Sequence, residues 1–345
     1  MLTSGPMTET SPPDLAAPPP EPAAAPKRPL LPAWLSMTLR IALVVALLYW
    51  IFQKVDFVEF AHTLRHADAR FLALAALAIV LSQFTAAWRW FRLLKAAGST
   101  WSWAQSLAVY GAGLFLGLFI PTGVGGDVYR VARVRSSGTG LARGTATILL
   151  ERAIGLLALL MLGTGFIAAN PATRPWAALF GLGAIAGLAG LAALWIPGGV
   201  DWVARVLERL PVHGLGHRFR KAFPDEAMSR LHDAIPGTVA LSLANHSWLL
   251  LVNVLLARGL GLGLTWTTVC AAVPLVLLAA QIPITPGGAG IREAAYVYFF
   301  GRVGVQEGPA LALALSWFAL LVFVSLLGAF GLLAEPKSRA VAPAA

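Results

Sequence analysis

The sequence predicts an all-α polytopic membrane protein with about six to eight transmembrane helices. Two Gly/Pro-broken, re-entrant hairpins within it would relate the two halves as an inverted repeat. Three observations lead there. Hydrophobic residues make up 58% of the chain and charged residues 12%, with a mean hydropathy of +0.73, whereas soluble domains carry roughly 25% charge. The apolar residues are gathered into successive runs, several of them near the ~20 residues that cross a bilayer as a helix. Finally, one interrupted stretch is written twice.

The first copy runs Ile120-Pro121-Thr122-Gly123-Val124-Gly125-Gly126-Asp127-Val128-Tyr129-Arg130. The second runs Ile282-Pro283-Ile284-Thr285-Pro286-Gly287-Gly288-Ala289-Gly290-Ile291-Arg292. Ile, Pro, Gly-Gly and Arg coincide without a gap at an offset of 162 residues. Pro and paired Gly end a helix. Inside a bilayer the freed backbone groups are tolerated only against protein or a polar cavity. Pro121, Gly125 and Gly126, and Pro283, Pro286, Gly287 and Gly288, are therefore the expected helix-break residues. Such paired interruptions in corresponding halves point to a transporter's binding site.

In chain order, residues 1–35 are Pro/Ala-rich, cannot bury a core, and are expected to be a disordered cytoplasmic tail. Lys27, Arg28 and Arg40 hold that end inside by the positive-inside rule. Ile41 to Phe52 makes a first crossing. Phe57, Phe60, Ala61 and Leu64 recur at helical spacing among charges and predict an interfacial helix. Phe71 to about Trp88 is a second crossing, closed by Trp88-Arg89-Trp90-Phe91-Arg92 and Lys95, which read as an aromatic and basic collar at the cytoplasmic interface.

The next apolar run, Trp103 to Ile120, meets the first break, and Arg130, Arg133, Arg135 and Arg143 follow. A full crossing would put those arginines outside, so residues 103–135 are read as a re-entrant hairpin. Thr145–Ala168 and Trp176–Ile196 are further crossings. Residues 197–235 form an amphipathic interfacial linker in which Trp202, Val203, Val206, Leu207 and Leu210 share the apolar face. Pro236–Ala257 crosses again. Leu264–Ile282 enters to the second break, and Gly290 to about Phe300 returns. Leu311–Leu333 crosses last, leaving 336–345 as a cytoplasmic tail. The transmembrane domain is thus 36–335, with repeat halves about 71–196 and 236–335. Three crossings lie between the hairpins, an odd number, which makes the halves inverted rather than parallel.

Composition and motifs weigh against several function classes. The net charge of +10 sits in short loops between apolar runs, which suits anionic headgroups rather than nucleic acid. The sequence has no Gly-x-Ser-x-Gly elbow and no Gly-rich phosphate loop ending in Lys-Ser/Thr. Cys270 is the only cysteine. His62 and His66 are four apart but lack a third ligand, so no metal, no cofactor and no enzyme activity are expected.

The residues left to carry chemistry are charged and intramembrane, where a charge is a functional hypothesis by default. Asp127 and Arg130 follow the first break, Glu151-Arg152 lies deep in an apolar helix, and Arg292-Glu293 follows the second break. They pair with one another as latches, or they receive a phosphate-bearing substrate, for which the two-pronged guanidinium is suited. Helix N-termini after each Gly-Gly would add positive dipole ends. Asn245, His246 and Asn253 either make interhelical hydrogen bonds or line a polar path.

Three segments, Pro121-x-Gly-x-Gly-Gly-Asp127-x-x-Arg130, Glu151-Arg152-x-x-Gly155 and Pro283-x-x-Pro286-Gly-Gly-x-Gly-x-Arg292-Glu293, resemble the hallmarks of a flippase-like family. That family is typified by the membrane region of lysyl-phosphatidylglycerol synthase, and the resemblance spans about residues 38–335. It implies a protein that moves lipids, or isoprenoid-linked lipids, between leaflets. Some members are fused to an aminoacyl-transferase or a glycosyltransferase, but no soluble stretch here is long enough for either.

The expectation is an inner (plasma) membrane translocase with both termini cytoplasmic. It would pass an anionic or phosphate-bearing lipid through a midplane site of Asp127, Arg130, Glu151, Arg152, Arg292 and Glu293. The alternatives are a carrier for a small soluble anion and a scaffold that holds a separate lipid-modifying or glycosyltransferase enzyme.

Overall fold

A computed structural model of the chain describes residues 57–119, 125–194, 196, 198–209, 214–223, 231–281 and 290–333. Among them there is no strand. The helices are α1 (Phe57–Arg65), α2 (Ala69–Ala96), α3 (Trp103–Phe119), α4 (Gly125–Val134), α5 (Leu141–Ala169), α6 (Ala177–Ala193), α7 (Gly199–Glu208), α8 (Leu215–Ala222), α9 (Ile235–Gly259), α10 (Trp266–Ala279), α11 (Ile291–Arg302) and α12 (Glu307–Leu333). The expected tails 1–35 and 336–345, the crossing Ile41–Phe52, and the break residues Pro121, Pro283, Pro286, Gly287 and Gly288 lie outside the described residues.

Five of these helices, α2, α5, α6 together with the 3-10 turn Arg174–Trp176 that leads into it, α9 and α12, are long and apolar enough to cross a membrane. Their outward faces are apolar as well: α6 exposes Leu179, Leu182, Ile185 and Leu188. A helix hydrophobic all round belongs in a lipid or protein interior, so the chain is a multi-pass membrane protein. The helices that flank the two breaks are shorter. Helices α3, α4, α10 and α11 have 17, 10, 14 and 12 residues. At ~1.5 Å per residue all fall short of the ~30 Å hydrocarbon core.

Local chemistry sets the starts. Asp68 Oδ1 accepts from the Arg70 N–H at 2.9 Å and caps α2. Ser102 and Gln105 exchange hydrogen bonds between side chain and backbone, a capping box that opens α3. Thr265 Oγ1 accepts from the Thr268 N–H and caps α10. Gly290, at φ 79°, precedes α11 in a left-handed conformation that a side chain would strain.

Helices α2 and α9 pack along much of their length, α3 lies on α12, α5 on α6, and α10 and α11 on each other. The largest apolar core joins the first half of α2 to the second half of α9, α10, α11 and α12. A second core gathers the C-terminal end of α2, the start of α5, and Phe223 and Leu231. A third surrounds Trp90, Tyr110 and Ile148.

Helices α3 and α4 run antiparallel. Glycine is required where they meet: a Cβ on Gly126 would strike the Gly113 carbonyl, and one on Gly113 would lie 3.1 Å from both Arg130 Cγ and the Gly126 oxygen. This corrects the reading of Gly125 and Gly126 as break residues. Both are helical, the first two residues of α4, and Gly126 serves close approach to α3.

Two further expectations change. The second crossing does not stop at Trp88 but continues to Ala96, which draws Arg89 into the bundle. Among the described residues the linker holds two short helices, and the face of α7 turned inward carries Val200 and Ala204, while Trp202 and Val206 are exposed. Asp201 and Arg220 pair at 2.5 Å between α7 and α8, and Glu208 Oε2 accepts from the Gly216 N–H at 2.7 Å.

Candidate functional site

Glu151 sits about a third of the way along α5 and is 2% exposed. Two guanidinium groups converge on its carboxylate. Arg89 of α2 donates to Oε1 at 2.9 Å, and Arg130 of α4 donates to Oε2. Both arginines are buried, with 7% and 6% exposed. The remaining contacts fix each of them. Arg89 also donates to Ser242 Oγ of α9 at 2.9 Å. Arg130 also donates to Asp127 Oδ1 at 3.2 Å, one turn back on its own helix. Its guanidinium carbon lies 4.2 Å from the centre of the Trp90 ring and 4.8 Å from that of Tyr110, positions that an aromatic quadrupole stabilises. Trp90 is held in turn by its indole N–H, which donates to Thr147 Oγ1 at 3.3 Å.

Arg152 is the outer member. Its guanidinium donates to Asp127 Oδ2, but about half of its side chain is exposed. Leu149 and Leu156, three residues before and four after it on α5, are exposed apolar residues. The charge therefore grades from a half-exposed Arg152, through a partly buried Asp127, to a buried trio, Arg89–Glu151–Arg130.

Within the trio two positive groups face one negative group. The outer pair is neutral, so the cluster as a whole keeps one positive charge in excess. Burying an uncompensated charge is costly in a low-dielectric interior. The Nε–H groups of Arg89 and Arg130 are buried and find no hydrogen-bond partner among the described residues.

Gly155 lies one turn after Glu151 and leaves the space Arg89 occupies: a Cβ there would sit 3.5 Å from Arg89 Nη1 and 4.0 Å from His246 Cε1. His246 thus borders the cluster, with Nδ1 2.9 Å from the Ser242 carbonyl oxygen. Asn245 is buried beside it in sequence, and its Oδ1 has no partner among the described residues.

Arg292 and Glu293 form a separate pair. Arg292 donates to Glu293 Oε1 from Nη2 at 2.6 Å and from Nε at 3.0 Å. Glu293 Oε2 accepts from the Gly290 N–H at 2.6 Å and so caps α11. Arg292 lies 5.0 Å from the centre of the Phe318 ring. Among the described residues this pair shares no hydrogen bond or ion pair with the Glu151 cluster. Asn253 belongs here: its Oδ1 accepts from the Tyr296 hydroxyl at 2.6 Å, and its Nδ2 donates to the Leu249 carbonyl. It ties α9 to α11.

The sequence-predicted residues therefore divide. Asp127, Arg130, Glu151 and Arg152 meet, with His246 at their edge. Arg292, Glu293 and Asn253 stand apart. Arg89 was missed, although Ser82, Ala86, Arg89 and Leu93 recur at helical spacing and share the buried face of α2. His62 and His66 lie exposed at the end of α1, their ring centres 4.1 Å apart.

Residues 37–328 match the family model for the lysylphosphatidylglycerol synthase TM region. Comparison with curated proteins and comparison with solved structures each returned no match.

Proposed function

The chain belongs to the family of the lysylphosphatidylglycerol synthase transmembrane region, and from that premise we propose that it moves an anionic, phosphate-bearing lipid between the leaflets of the inner (plasma) membrane. The observation that carries this reading is the buried positive excess: Arg89 and Arg130 share one carboxylate, and each keeps an Nε–H without a partner among the described residues. A phosphate oxygen supplies both the missing charge and the missing acceptor, and charge-assisted bonds to guanidinium are among the stronger hydrogen bonds. Arg152, at the outer end of the cluster among exposed leucines, meets the headgroup first. Asp127 links Arg152 to Arg130, and the anion passes inward by displacing its carboxylate from the arginines, while the tails stay in lipid.

The short antiparallel helices α3 and α4 fit a re-entrant hairpin, and α10 with α11 fits a second. Three long helices, α5, α6 and α9, lie between them, which supports the inverted relation. In this reading the chain is a translocase and not an enzyme, and its termini are cytoplasmic.

The test is leaflet transfer of labelled phospholipids and polyprenyl phosphates in liposomes holding the purified full chain. Arg89→Gln and Arg130→Gln, at wild-type folded yield, should each lower the initial rate at least tenfold for anionic lipids. Wild-type protein that moves no lipid faster than empty liposomes, under any imposed gradient, overturns the proposal.

A further inference from the structure

Helices α2, α3 and α12 enclose a groove of about 350 Å³, inside the roughly 300–1,000 Å³ of small-molecule sites. Only two of its lining side chains carry polar atoms, Gln83 and Tyr110. The rest are apolar, among them Val80, Leu107 and Leu114. Its floor is backbone, because α3 and α12 touch at glycine: a Cβ on Gly111 would lie 3.2 Å from Gly328 Cα. Its mouth is edged by Phe84, Leu327 and Phe330, all exposed. Two of its three walls, α2 and α12, are long enough to cross a membrane, and the side chains at its mouth are apolar, as a lipid-facing opening requires.

The groove also adjoins the charge cluster. Tyr110 is a wall of the groove, and the Arg130 guanidinium lies 4.8 Å from its ring. An apolar slot and a buried positive site thus share one side chain. We infer that this groove is a second subsite for the transported molecule, one that seats a straight acyl chain of an anionic phospholipid while its phosphate engages Arg130 and Arg89. This rests on the lipid reading of the cluster. The acyl assignment follows from the close seam of Gly111 and Gly328, along which an unbranched chain packs more closely than a prenyl chain with its methyl branches.

The test uses the full chain in liposomes of phosphatidylethanolamine and phosphatidylglycerol, with two photoreactive probes. One is phosphatidylglycerol with a diazirine on its acyl chain; the other is a polyprenyl phosphate with a diazirine on its prenyl chain. Labelled residues are mapped by mass spectrometry. In wild-type protein the acyl probe should label residues 80–84, 104–114 and 324–331 at least fivefold more than the outer face of α6. Ala104→Trp or Leu327→Trp, which fill the mouth, should lower that labelling at least fivefold, and Leu182→Trp on α6 should not. Equal labelling of the groove and the α6 face, labelling of the groove by the prenyl probe alone, or labelling by neither overturns the inference. Transfer is measured on the same samples. Transfer without groove labelling sinks the acyl subsite and leaves translocation standing. Groove labelling without any transfer sinks translocation and leaves a phospholipid-chain site.

Discussion

Replacing Glu151 by glutamine tests the electrostatic account of the site. The substitution keeps shape and one acceptor oxygen. It removes the negative charge that Arg89 and Arg130 share, and it points a new N–H₂ donor at one of two guanidiniums that are themselves all donor. Both arginines are more than nine-tenths buried, so solvent screens little of the loss. Removing one member of a buried pair costs about 3–5 kcal/mol because the remaining charge is left uncompensated. That is roughly two to four powers of ten in the folding equilibrium. The assay is equilibrium unfolding in mixed micelles by titration with a denaturing detergent. Arg152→Gln, at the half-exposed edge, should cost no more than about 1 kcal/mol in the same series. Arg89→Met combined with Glu151→Gln should be less destabilised than the sum of the single variants, since the double variant removes a positive charge together with the negative one. Anionic lipid added to the micelles should restore Glu151→Gln more than wild type, because the variant holds a larger positive excess. A Glu151→Gln variant no less stable than Arg152→Gln would refute the reasoning, and so would strict additivity with Arg89→Met.

Three other outcomes are expected. Gly126→Ala forces a methyl group onto the Gly113 carbonyl and should cost about 1–3 kcal/mol, seen as a lower thermal midpoint in detergent. Gly155→Ala meets Arg89 only at ordinary contact distance and should stay within about 0.5 kcal/mol of wild type, whereas Gly155→Leu should displace Arg89 and lower lipid transfer at unchanged expression. Tyr296→Phe leaves the buried Asn253 Oδ1 without its donor and should cost about 1–3 kcal/mol. Its transfer rate per folded molecule should match wild type, since Asn253 ties two helices and lies apart from the cluster.

The helices were legible because apolar runs report their own length and their glycines and prolines report the ends. A separate short basic helix after the first apolar run was legible for the same reason, and α4 is that helix. Arg89 was not. In sequence it stands with Trp88, Trp90, Phe91 and Arg92, a composition that marks a membrane interface, and only the packing of α2 on α5 and α9 shows that the helix continues past it. The meeting of Arg89 with Glu151 spans 62 residues, and no local pattern encodes it. The same limit explains Gly126. Paired glycines signal a break, yet here they signal contact with a helix whose own Gly113 became informative only once the two were side by side. It also explains why Arg292 was grouped with Arg130: the repeat makes their positions equivalent in sequence, but equivalent positions in two halves need not share a pocket.

The 62-residue separation of Arg89 from Glu151 has a consequence for biogenesis. Translation at about 5–20 residues per second leaves Arg89 in the membrane for roughly 3–12 s before its partner is made. An arginine at the centre of an inserting helix costs roughly 2.5–3.5 kcal/mol, and Arg89, about three quarters along α2, costs less than that. That cost falls on α2 alone until α5 arrives, and is met in the interval by the aromatic and basic residues just beyond Arg89, which anchor that end of the helix near the interface. Arg130 waits only 21 residues, about a third as long. The three helices that share Glu151 are therefore expected to leave the insertion machinery as one unit, with α2 retained until α5 is complete.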